Sequence, residues 1–138
     1  MKKEIKHKIV HAYQPTNTTC SQTALSILLS NYGESLNPLE VERLIPQSVD
    51  ENGEKNGTIN QHMAIWCISK GYEVDMYTFD CQVIDQSWAK LEPKKVVERM
   101  KLRKNGWVVP GMGEMWTKEY TQSYIDFIEA GGNLNIQP

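Results

Sequence analysis

The residue types able to do chemistry gather where a polar turn runs into a long apolar segment. In residues 14–33, QPTNTTCSQTALSILLSNYG, Cys20 opens a helical pattern and Gln14 stands six residues before it. A thiol attacks as its thiolate, and the first turn of a helix favours an anion through unpaired amide N–H groups and the positive dipole end. The same amides can receive an oxyanion when a thiolate adds to a carbonyl. Gln14, curled back across the turn, could add its side-chain amide as a second donor. One local segment therefore offers Cys20 as a candidate nucleophile and Gln14 as a candidate oxyanion donor. The plain alternative is that Cys20 is a small packing residue and Gln14 only a polar residue before Pro15.

The other thiols are weaker candidates. Cys67 lies late in an apolar helical stripe and Cys81 follows a strand pattern, which suits core or edge positions. Three cysteines at long spacings form neither a disulfide framework nor a zinc motif, and free thiols in a reducing compartment fit best. His7 and His11 are four apart but fall on an extended pattern, where they lie too far apart to share an ion and read as surface residues. No metal and no cofactor is implied.

The elements that must position Cys20 can be read from periodicity and caps. Residues 5–13 alternate loosely and predict a short strand or extended arm. Gln14-Pro15 breaks it. Thr19 fits a helix N-cap, with Gln22 completing a Thr-x-x-Gln capping box, and the helix then runs to Tyr32 and Gly33. Its apolar residues occupy nearly the whole circumference, so it is expected to be a buried central helix. Asn37, Pro38 and Glu40 start a second, short helix that stops by Pro46. Residues 47–57 are polar and read as an exposed loop. Thr58 with Gln61 suggests a capping box for a third helix to Gly71, and 72–79 (YEVDMYTF) is the best strand pattern. Pro93 opens a helix to Lys104. Residues 107–116 (WVVPGMGEMW) read as an apolar loop, Thr117 as the cap of a last helix to Gly131-Gly132, and 133–138 as an incipient extended tail.

Composition bounds the class. A chain of 138 residues fits one domain, residues 1–138, with enough length for a real core. Net charge is −2, which argues against a nucleic-acid footprint. The basic run 94–104, interrupted by Glu98, reads as a solvated helix face. No run of apolar residues is long enough for a membrane span, and no signal peptide is visible, so a cytoplasmic location is expected. The fold class expected is α/β (α+β), helix-rich, with few strands.

The stretch YQPTNTTCSQTALSILLSNYG resembles the first motif of the papain-like cysteine peptidases, and more closely the bacterial double-glycine peptidase-like group. In that group a Gln, a polar turn, a Cys and a long helix ending in Tyr-Gly recur. The resemblance covers about twenty residues well and the following elements to Phe79 loosely. Many members carry Gly after the Cys, where Ser21 stands here. The resemblance implies Cys20 as nucleophile, Gln14 as oxyanion donor, and a peptide or other acyl substrate. It also implies a downstream histidine base with an Asp or Asn orienter. No histidine follows His62, so neither is found, and the chain is expected to be an incomplete papain-like domain lacking its C-terminal sheet half. An uncovered apolar face would then favour association of copies of the chain. His7, His11 or His62 would have to approach Cys20 in an unusual way to replace the base. The competing functions are a non-catalytic interaction module, with the 107–116 loop as its surface, and a thiol redox sensor needing only a reactive Cys20.

Overall fold

A computed structural model describes residues 7–137. Contacts divide these residues into two compact units, one up to Asn60 and one from Gln61 onward. The elements comprise five α-helices, one short 3-10 helix and two strands, a helix-rich α/β composition. No helix among the described residues is long and apolar enough to cross a membrane.

The first unit is built on α1 (Cys20–Ser30) packed against α2 (Pro38–Leu44). Residues 7–14 have no regular structure, and the expected strand does not form in the part of 5–13 that is described. This arm is held instead by side chains at the C-terminal end of α1 and just beyond it: the Val10 N–H donates to Ser30 Oγ at 2.8 Å, and His7 Nδ1 lies 3.1 Å from Asn31 Oδ1. Helix α2 starts as its sequence suggests. Asn37 Oδ1 accepts from the Leu39 and Glu40 N–H groups, and Glu40 Oε2 accepts from the Asn37 N–H.

The expectation that α1 is buried all round is corrected. Leu25 and Leu29 are buried, but Ala24 and Leu28 face solvent, and the rest of the buried side is polar: Gln22, Thr23 and Ser26. The two hydroxyls can be buried because they find partners. Thr23 Oγ1 donates to the Thr19 carbonyl at 2.8 Å and Ser26 Oγ to the Leu36 carbonyl at 2.6 Å. Hydrophobicity summed round the helix therefore overstated its burial, since the hydroxyls return their bonds to nearby backbone.

The second unit holds α3 (Asn60–Ser69, straddling the boundary), β1 (Asp75–Thr78), α4 (Pro93–Gly106), α5 (Glu114–Glu129) and β2 (Asn133–Ile136). Strands β1 and β2 are parallel and in register from Asp75 opposite Asn133 to Thr78 opposite Ile136. The extended tail is thus a sheet partner. A parallel pair needs a long crossover, and α4 and α5 supply it. The main apolar core lies here, formed by Val83, Ile84, Trp88, Val96, Val97 and Met100 with residues of α5 and β2. Thr117 does not cap α5. The helix begins at Glu114, and Thr117 Oγ1, one turn in, donates to the Gly113 carbonyl at 2.8 Å and accepts the Val109 N–H at 3.0 Å. A hydroxyl that can fold back on a loop carbonyl mimics a cap signal in sequence.

Candidate active site

Cys20 is the first residue of α1 and is exposed. The turn before it is fixed by Thr19, which is fully buried. Thr19 Oγ1 accepts the Thr16 N–H and donates to the Thr16 carbonyl, both at 3.1 Å. Those bonds bring the chain round into α1, but they occupy the hydroxyl that was expected to cap it. No side chain caps the helix, and the capping box with Gln22 is absent. Gln22 turns inward instead, is fully buried, and donates from Nε2 to Thr58 Oγ1. That same bond uses the Thr58 hydroxyl, and α3 starts two residues later at Asn60. Gln61, the other expected cap partner, is buried, and its Oε1 has no partner among the described residues.

The consequence for Cys20 is an exposed thiol beside helix amides that no side chain occupies. Its Sγ has one polar neighbour among the described residues, Ser21 Oγ at 4.0 Å. On α1, Cys20, Ala24 and Leu28 recur at the four-residue spacing of one helix face, and all three are exposed. The thiol therefore heads an uncovered apolar stripe.

Gln14 is exposed and its amide is turned into the local turn, with Nε2 donating to the Thr16 carbonyl at 2.5 Å. No hydrogen bond joins it to Cys20 among the described residues. The two histidines of the first unit lie toward the far end of α1. His7 contacts Asn31, eleven positions beyond Cys20 and about 16 Å along the axis. His11 packs edge-on to Tyr13 at 4.8 Å and lines a cavity of about 450 Å³ with Ser26, Ser30 and Glu40. Cys20 is not part of that lining. His62 lies half-buried on α3. Neither His7 nor His11 is placed to act as a base for Cys20.

The remaining thiols differ from one another. Cys67 is half-buried, and burial pushes its thiol up from the ordinary range. Cys81 is exposed. No group of three or more His, Cys, Asp and Glu residues able to hold a metal ion occurs among the described residues.

A second polar cluster, not foreseen from sequence, ties α5 to the end of β1. The Tyr124 hydroxyl lies 3.3 Å from Thr78 Oγ1 and donates to Asp80 Oδ2 at 3.3 Å. Tyr120 approaches it at 3.5 Å between hydroxyls and stacks on Trp116 at 4.5 Å between ring centroids. Burial is the leading cause that raises both phenols above their ordinary range. The available signal was the four-residue spacing of Tyr120 and Tyr124. It reveals a shared face but says nothing of a carboxylate forty-four residues upstream.

The chain matches no protein-family model, no curated protein and no solved structure.

Proposed function

We propose that Cys20 is the nucleophile of a cysteine hydrolase of papain-like type, present here as a half-site. The observation that carries this reading is the exposed thiol at the first position of α1, beside helix amides that no side chain caps. The thiolate would add to an amide or thioester carbonyl, and the first-turn amides would receive the developing oxyanion. Gln14 could join them only by turning its amide away from the Thr16 carbonyl.

The placement of His7 and His11 away from Cys20 restricts what this site can accomplish. Cleavage of a peptide expels an amine that must be protonated as it leaves, and neither His7 nor His11 is near enough to do so. An activated thioester expels a stable thiolate and makes no such demand. The chain should therefore accept an acyl group from such a donor and then stall, since neither His7 nor His11 stands beside Cys20 to activate water for deacylation. The uncovered stripe through Ala24 and Leu28 is where a surface carrying the base would have to settle.

Exposed Cys81 provides an internal reference. The test is incubation with an activated aromatic thioester, followed by quenching and peptide mapping by mass spectrometry. Acylation of Cys20 at least tenfold faster than Cys81, without turnover, supports the assignment. Equal rates at the two thiols would overturn it. So would an unchanged total acylation rate in Cys20→Ala.

A further inference from the structure

Helices α4 and α5 form a helical hairpin, and its tip is apolar. The connecting residues, 107–113, carry no charge. Within them Trp107, Val108 and Met112 are 43%, 45% and 40% exposed, and the flanking Leu102 and Met115 are 73% and 55% exposed. The tip is held in this shape rather than left to collapse. Val109 is buried, its N–H donates to Thr117 Oγ1 at 3.0 Å, and its carbonyl accepts the Met112 N–H at 3.1 Å. One residue of the tip is thus anchored while its neighbours point outward.

Cations flank the tip on its α4 side. Helix α4 carries six basic residues against the single acidic Glu98, in a chain whose net charge is −2. Arg103 sits over both Trp107 and Trp88, at 5.4 Å and 5.9 Å from the ring centroids. Arg99 is exposed one turn earlier, and Lys104 donates to the neutral Gln122 at 2.6 Å. Of the acidic residues nearby, Asp85 lies within electrostatic reach of Arg99 and Arg103, Glu114 is paired with Lys118, and Glu119 stands one turn past Met115 on α5.

From this arrangement we infer that the α4–α5 tip docks on an anionic membrane surface, inserting Trp107, Val108, Met112 and Met115 while Arg99, Arg103 and Lys104 meet lipid headgroups. An exposed apolar patch with a cationic border marks an interaction site, and positive charge selects an anionic partner. A bilayer can accept such an uncharged apolar tip without a groove, and its anionic headgroups supply the partner that the α4 cations call for. Tryptophan at the border between apolar and charged groups suits the headgroup region.

The test is cosedimentation of the full chain with phosphatidylcholine vesicles, with and without 30% phosphatidylserine. At low salt, binding to the anionic vesicles should exceed binding to neutral ones at least tenfold and should fall severalfold in 0.5 M salt. Val108→Asp/Met112→Asp should lose at least tenfold with an unchanged circular dichroism spectrum. Met115→Asp provides an independent variant should the loop pair fail to fold. Arg99→Gln should lose about fivefold. Equal binding to both vesicle types, no binding, or variants that bind like the parent would each overturn the inference. Capture of an acidic peptide such as polyglutamate, without vesicle binding, would overturn it in favour of a protein partner.

Discussion

The side-chain amide of Gln22 donates to the hydroxyl of Thr58, while its own carbonyl oxygen is buried with no partner among the described residues. The bond ties the first turn of α1 to the segment leading into α3. A buried polar pair of this kind is asymmetric in its energetics. Breaking one side strands the other, whereas replacing the group that is already half-unpaired removes a standing cost. Thr58→Ala should therefore destabilise the first unit by about 1 to 3 kcal/mol, and Gln22→Met should be near neutral. All four tryptophans lie beyond residue 60, so unfolding of the first unit should be followed by far-ultraviolet circular dichroism. Equal losses for the two variants would mean that the Gln22 carbonyl is satisfied.

That bond also shows where the sequence was readable and where it was not. The Asn37–Glu40 capping box could be read directly, because both partners lie within one turn and the bonds are local. The same pattern at Thr19–Gln22 and Thr58–Gln61 misled, since Gln22 took Thr58 across the unit and left both boxes empty. Position along the helix placed Cys20 correctly at the start of α1. That no histidine follows His62 was legible in the sequence. The placement of His7 at Asn31 and of His11 beside a cavity needed the fold. The tail 133–137 looked merely extended because its strand partner lies 58 residues earlier, a separation that no periodicity encodes.

The glycine pair at the end of α5 has two separate requirements. Gly131 has φ +94°, the left-handed conformation that ends a helix, and its N–H donates to the Ile128 carbonyl at 3.0 Å. Gly132 is constrained by space, because a Cβ there would run into the ring of Phe127, which is fully buried. Gly131→Ala should cost about 1 to 2 kcal/mol of backbone strain. Gly132→Ala should cost about 1 to 3 kcal/mol through displacement of the ring. The second loss should be partly relieved in Gly132→Ala/Phe127→Leu, a double-mutant cycle read by urea denaturation. Additive losses would show that the ring does not make the contact.

Acid should act on the first unit through Glu42. Its carboxylate accepts from Lys55 and, at 2.8 Å, from Gln47, and the Lys55 bond is the main reason its carboxyl sits below 4.5. A carboxylate depressed in the folded state stabilises that state above its unfolded value. The contribution disappears as pH falls through the folded value. Lys55 is 59% exposed, so the pair should contribute no more than about 1 kcal/mol. Lys55→Met should lower stability at pH 7 by that amount and flatten the decline below pH 4.5. A parallel pH profile for parent and variant would remove Lys55 as the cause.

Base should act on the second unit through Tyr120 and Tyr124, both raised above 10.0 chiefly by burial. Below that value the phenols are neutral in both folded and unfolded chains and stability is insensitive to them. Above it the unfolded chain releases protons that the folded one retains, so the folded state loses ground as pH rises. The parent should therefore begin to lose stability above about pH 10. Tyr120→Phe should blunt the loss and cost less at pH 7 than Tyr124→Phe, since the Tyr120 hydroxyl meets Tyr124 only at a long 3.5 Å, although it also interacts with Asp80. Tyr124→Phe should blunt it too, but at a cost of about 1 kcal/mol at neutral pH, because its bonds to Thr78 and Asp80 disappear. Denaturation midpoints between pH 8 and 11, read by tryptophan fluorescence, would separate the two. If Tyr124→Phe showed no cost at pH 7, the cluster would not be what ties α5 to the end of β1.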